Sequence, residues 1–256
     1  MSANAATLDI PIAGRDADRR PGMGRLTAVE LRKMVDTRAG FWLQLAVVGL
    51  TLAIAGIIVG FGADADQSLE QMLKATIQPS ANLLPVIGIL LVSSEWSQRT
   101  AQVTFTLVPK RMRVMASKVL ASLSVAVVAY AVSIVVALVA AAAAGGDMSL
   151  SAALVGQIAV LFAIAMVGGV AFGALFLASA PAIVAYLLAP IAWAAFLSIP
   201  AFDAIAPWLD GSRSYAPITD GTMSATAWAH VGTTTLMWVA LPLAIGLWRI
   251  SRNEVP

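Results

Sequence analysis

The sequence predicts an all-α membrane protein with six transmembrane helices. Both termini are expected on the cytoplasmic side, with an amphipathic interfacial helix ahead of the first span. Three observations lead there. Of the 256 residues, 59% are hydrophobic and only 12% are charged, against about 25% charged in soluble domains. Mean hydropathy is +0.85, so a chain of this size needs lipid as the solvent for most of its surface. The apolar residues also fall into separated runs of membrane-spanning length, and the basic residues are confined to alternate connections between them.

In chain order, residues 1–24 are rich in Ala, Asp, Arg, Gly and Pro without apolar periodicity, which predicts a flexible cytoplasmic tail. Nothing in 1–40 has the length of a signal-peptide core, so Met1 is expected to remain on the mature chain. From Arg25 to Arg38 the apolar Leu26, Val29 and Met34 share one side, with Arg32, Lys33 and Arg38 elsewhere. Thr27 and Glu30 have capping-box spacing. This predicts a short helix in the headgroup layer; the same pattern also suits a solvated lead-in helix.

Spans are predicted near 41–61, 77–94, 117–144, 151–177, 181–200 and 227–248. The second and fifth are the short ones and carry Pro85 and Pro190, so the count drops to five if the second is re-entrant. Segments 1–40, 95–118 and 249–256 hold fourteen of the sixteen Lys and Arg residues; only Lys74 and Arg213 fall elsewhere. The acids divide seven and seven, leaving the first set at +7 and the second at −5. By the positive-inside rule the N-terminus, the 95–118 loop and the tail at 251–256 are cytoplasmic, which an even span count satisfies.

Several function classes are disfavoured. The predicted spans hold no Asp, Glu or Arg, and their only Lys is Lys118, at the margin of the third. Since ion and proton carriers place ionisable groups at depth, this weighs against such a carrier. His230, the single histidine, reads as interfacial. With no cysteine, one histidine, no G-x-S-x-G and no partner evident for Ser133 or Ser198, neither a metal site nor a serine-protease constellation can be assembled. None of the four lysines follows a glycine, so no P-loop exists here. If the chain works on a solute, another chain supplies the energy. A nucleic-acid partner is not expected, because the basic residues flank membrane segments.

The 95–118 loop is the most informative segment. Glu95 and Arg99 are spaced i, i+4 in the favourable order on a helix leaving the membrane. Trp96 suits the headgroup level. Pro109 breaks the chain, and Lys110, Arg111, Arg113 and Lys118 lead back into the bilayer. A basic loop held against anionic lipid accounts for the cations, but leaves Glu95, the Thr/Gln stretch and Pro109 unexplained.

The order E-W-x-x-R-T at 95–100, T-F-x-L-x-P-x-R at 104–111 and a Lys shortly before the third span resembles the ABC-2 type transporter permeases. The lead-in E-L-R-K-M-V-D-T-R at 30–38 is similar to the start of those permeases, and the resemblance covers roughly 25–250. It implies an efflux permease of the inner (cytoplasmic) membrane that pairs with a second copy or a related chain. It implies also two separate ATP-binding subunits, with ATP and Mg bound there and no cofactor on this chain. Glu95, Arg99, Thr100, Pro109, Arg111 and Lys118, with Arg113 beside them, fall where the family places its ATPase-coupling loop; Glu30 and Lys33 fall in the matching lead-in helix. The rival reading is a membrane scaffold or assembly protein that transports nothing, and an intramembrane enzyme is a more distant one.

Two features remain. Gly56-x-x-x-Gly60 and Gly169-x-x-x-Gly173 have the spacing that lets helices approach closely, and packing within one subunit is the favoured reading. Segment 201–226 is expected outside the membrane as a short helical or re-entrant cap, or as a plain loop.

Overall fold

A computed structural model describes residues 21–62, 66–221 and 223–252. The tails expected over 1–24 and 251–256 lie outside the described residues up to residue 20 and from residue 253 onward. Among the described residues the chain is helical throughout: α1 (Met23–Asp36), α2 (Arg38–Phe61), α3 (Leu69–Ser97), α4 (Ala101–Leu107), α5 (Arg111–Ala144), α6 (Ala152–Phe176), α7 (Ser179–Leu197), α8 (Ala206–Leu209) and α9 (Gly211–Asp220). The last helix, α10, runs Ala225–Arg252 and contains one π-helical turn at Leu236–Ala240. Six of them, α2, α3, α5, α6, α7 and α10, are long and apolar enough to cross a membrane. The protein is a multi-pass membrane protein.

Local chemistry sets most boundaries. Thr37 ends α1 and caps α2, its hydroxyl accepting from the Gly40 amide at 3.2 Å. Ser68 caps α3 in the same way. Gly145, with φ of 69°, takes the left-handed C-cap of α5. The capping box read at Thr27 and Glu30 is absent. The helix begins earlier, at Met23, and the Thr27 hydroxyl donates back to the Met23 carbonyl at 3.0 Å. Two spans differ from expectation. The second is 29 residues long rather than short, and it is one continuous helix with Pro79 and Pro85 inside it. Hydropathy missed its polar first turns, where Lys74 and Glu70 pair at 2.8 Å. The third starts at Arg111, because Pro109 separates it cleanly from α4.

α3 is the axis of the bundle and packs on α2, α5, α6 and α7. Its most apolar window is 67% buried, against 17% for α2 and 11% for α7, so those two helices turn most of their apolar surface away from the chain. The closest contact is between α3 and α6. A Cβ at Gly169 would strike the Pro85 carbonyl, one at Gly173 would lie 2.8 Å from the Ile89 carbonyl, and one at Gly88 would lie 3.1 Å from the Met166 carbonyl. At the α6–α10 contact a Cβ on Gly246 would meet the Ala174 Cβ at 2.6 Å. Gly56 and Gly60 differ. Nothing lies within 4 Å of a Cβ added at either, so they do not pack within the chain.

Gly169→Ala should therefore force α3 and α6 apart, at about 1–3 kcal/mol, and lower the melting temperature of the detergent-solubilised chain. Gly56→Ala, made in parallel, should leave that temperature unchanged or raise it.

Candidate functional site

At the end of the bundle where α3 finishes and α5 begins, four charges close into a ring. Glu30 and Lys33 come from neighbouring turns of α1, Glu95 from the last turn of α3, and Lys118 from the third turn of α5. The Lys118 ammonium donates to Glu30 Oε2 at 2.7 Å and to the Leu91 carbonyl at 3.0 Å, and stands 3.1 Å from Glu95 Oε1. The Lys33 ammonium donates to Glu30 Oε1 at 2.8 Å and to Glu95 Oε1 at 2.6 Å. Each cation thus touches both carboxylates, and the formal charges cancel. Lys118 is 1% exposed, Glu30 4% and Glu95 6%; Lys33 reaches the surface. Burial alone would lower the pKa of Lys33, but hydrogen bonds and attraction from Glu30 and then Glu95 outweigh it and hold the group above the ordinary lysine value of 10.5.

The same glutamate carries the loop helix. The Thr100 amide donates to the Glu95 main-chain carbonyl at 2.9 Å. Arg99 takes a left-handed φ of 57° that reverses the chain into α4. The pair read between Glu95 and Arg99 is not made: α3 stops at Ser97, Arg99 lies beyond it, and the carboxylate turns inward to the lysines. α4 is held by Ala101, which is buried, and by Phe105, which lies 6.3 Å from the Trp96 ring and 5.1 Å beneath the Arg111 guanidinium. Its other face presents Val103 and Leu107, 61% and 74% exposed.

Basic residues tie the neighbouring ends together. Arg111 donates to the Ile250 carbonyl at 2.5 Å, and Arg249 donates to the Leu175 carbonyl. Both acceptors sit in the last turn of a helix, where cations are favourable. Arg113 donates to the Pro21 carbonyl at 3.0 Å. Of the other residues singled out from sequence, Pro109 separates α4 from α5, Arg32 makes an exposed pair with Asp36 at 3.0 Å, and Arg38 opens α2. An exposed pair of that kind contributes under about 1 kcal/mol.

At the opposite end of the bundle, the 201–226 segment is not a plain loop but a set of short helices that re-enter, the first of the two alternatives expected from sequence. After a short turn at Pro200–Phe202 the chain runs back along α10: the Trp208 carbonyl accepts from Thr233 and Thr234, and the Leu209 carbonyl accepts from Trp238 Nε1 at 3.1 Å. At a rise of ~1.5 Å per residue, those donors lie roughly 12–20 Å from the Ala225 end of the helix. Asp210 marks the turning point. It is 3% exposed, and its carboxylate accepts from the Ser212 amide at 2.9 Å, capping α9 for the return. Beside this hairpin is a cavity of about 650 Å³ between α3, α6, α7, α9 and α10. Gln78 and Asn82 of α3 face it and are exposed, with Asn82 near the middle of the 29-residue helix. Two amides one turn apart in an apolar run, and the D-G-S sequence at 210–212, were the available signals.

No protein-family model matches this sequence, and no curated protein matches it, so function has to be read from the geometry.

Breaking the ring by Lys118→Met leaves two buried carboxylates on one lysine. It should cost about 3–5 kcal/mol in the solubilised chain. Lys118→Met with Glu30→Gln, which restores charge balance, should melt well above the single variant. The raised Lys33 pKa makes its contribution complete below the unfolded lysine value and lost only as pH climbs past the folded one. Melting should therefore be flat from about pH 6 to pH 9.

Proposed function

We propose that this chain is the permease subunit of an ATP-driven exporter of the inner (cytoplasmic) membrane, with the ion ring at its cytoplasmic end. The observation that carries this reading is the double duty of Glu95. Its main chain suspends α4, whose apolar ridge of Val103 and Leu107 is exposed among the described residues, and its side chain locks α1 and α5 to the end of α3. A partner that grips Val103 and Leu107 and moves would displace the ends of two spans and the lead-in helix together. The distribution of Lys and Arg supports placing this end in the cytoplasm, with α1 lying along the inner membrane surface.

The other end supports a solute path. Amide side chains exposed near mid-span are costly against hydrocarbon, and a water-lined route beside Gln78 and Asn82 removes that cost. The partners in this reading are separate ATPase subunits that bind ATP and Mg, and a second permease copy or related chain. The second copy would meet the open Gly56–Gly60 face of α2.

Affinity capture of the chain from its native membrane in mild detergent should recover a stoichiometric subunit carrying a P-loop. Val103→Glu with Leu107→Glu, both at exposed positions, should abolish that recovery while the permease still inserts. Glu95→Ala should keep the ATPase bound but lose about tenfold or more of ATP-driven export from inverted vesicles. Recovery of the chain alone under several gentle conditions would favour a scaffold, and wild-type export by Glu95→Ala would remove the coupling role.

A further inference from the structure

We infer that the cavity beside the re-entrant hairpin is a binding site for an uncharged amphiphile, one with a flat aromatic or alicyclic body and one or two hydrogen-bonding groups. This deepens the exporter reading and rests on it only in treating the ligand as cargo.

The walls specify the body. Phe172 stands 5.3 Å from Tyr186 at 89° and 6.5 Å from Trp238 at 10°. Tyr215 adds a fourth ring to the lining. These rings are not free to collapse inward. Trp238 is held by the Leu209 carbonyl at 3.1 Å, Tyr215 shares a 3.2 Å hydrogen bond with Thr235, and Tyr186 lies against Gly168, where a Cβ would sit 3.5 Å from its ring. A volume of about 650 Å³ is that of a site for a drug-sized ligand.

The polar groups specify the rest. The Gln78 and Asn82 amides line the cavity from α3, the Asn82 amide also donating to the Gln78 carbonyl at 2.8 Å, and Tyr186 lines it from α7. No Asp, Glu, Lys or Arg lines it among those residues. The N-terminus of α9 opens nearby, but the Asp210 carboxylate already satisfies it, so nothing there calls for an anion. The attraction of the rings for a cation is smaller than the cost of burying it without a carboxylate. A neutral ligand with a donor or acceptor meets every wall at no such cost.

The test uses two fluorescent probes with the same ring system, neutral N-phenylnaphthylamine and its anionic counterpart anilinonaphthalene sulfonate. Each is titrated against the full chain in nanodiscs, with empty discs subtracted. The neutral probe should bind saturably, and the sulfonate should bind at least about tenfold more weakly. Ala216→Phe, at an exposed position on the cavity wall, should fill the space and weaken the neutral probe by about tenfold. Asn82→Ala, also exposed, should weaken it severalfold. Both variants are checked for wild-type elution and melting. Equal affinity for the two probes, or neutral-probe binding untouched by Ala216→Phe, would overturn the inference. Capture of the ATPase by the same preparations separates the two readings: partner recovered without probe binding removes only the ligand class, whereas probe binding without a partner removes the exporter and leaves the site.

Discussion

Placing a carboxylate or an ammonium inside an apolar bundle costs several kcal/mol per ion, and the attraction between partners offsets that cost only where the geometry is close and every donor is used. Glu30, Glu95, Lys33 and Lys118 meet those conditions together and not in pairs. Lys118 directs its ammonium to two carboxylates and a main-chain carbonyl, and Glu95 Oε1 faces both lysines. Remove any one member and the others become a buried imbalance. The arrangement therefore fixes the angle between α1 and the spans together with buried Met34, whose carbonyl accepts from Gln44 Nε2 at 3.0 Å. It also fixes the start of α4, because the residue closing the ring is the one whose carbonyl holds Thr100. A hydrophobic contact at the same place would stabilise as much without specifying register; four charges in a ring accept one register only.

From that point the fold propagates along α3. Lipid supplies no hydrophobic drive between helices, so close packing has to supply the specificity. Gly88, Gly169 and Gly173 let the backbones of α3 and α6 approach until a single added methyl would strike a carbonyl. Gly246 does the same for α10 against α6. The three helices form one close-packed unit that carries Glu95 at the end of α3 and Gln78, Asn82, Phe172 and Trp238 along the cavity. α2 and α7, mostly unburied, lie outside that unit.

How much of this the sequence disclosed depends on the range of the interaction involved. Six apolar runs, the lead-in helix and the Pro-bounded loop are properties of contiguous residues, and composition and period revealed them. Where two signals of similar spacing competed, the local one misled. Thr27 and Glu30 had the spacing of a cap, and Glu95 and Arg99 that of a helical ion pair. Both glutamates instead turn to lysines distant in sequence, Lys118 being 88 residues from Glu30. Hydropathy also has no means of seeing that 206–215 folds back beside α10, since Asp210 and Arg213 look like loop residues until the Ser212 cap and the Thr233–Trp238 contacts are in view. The glycine pairs were indistinguishable by spacing, yet one lies in the tightest contact of the bundle and the other faces open space.

The two polar regions differ in a way that bears on mechanism. In the ring every charge is matched, and the pKa of Lys33, its most accessible member, is moved further from neutrality. Such a cluster is poorly suited to picking up and releasing protons near neutral pH and well suited to transmitting displacement, because shifting one helix without the others would separate buried charges. The cavity, by contrast, is lined by uncharged groups, among them the Gln78 and Asn82 amides and Tyr186. In the exporter reading proposed above, force would enter at the charge-matched ring and pass along the glycine-packed helices to a cavity lined by uncharged groups.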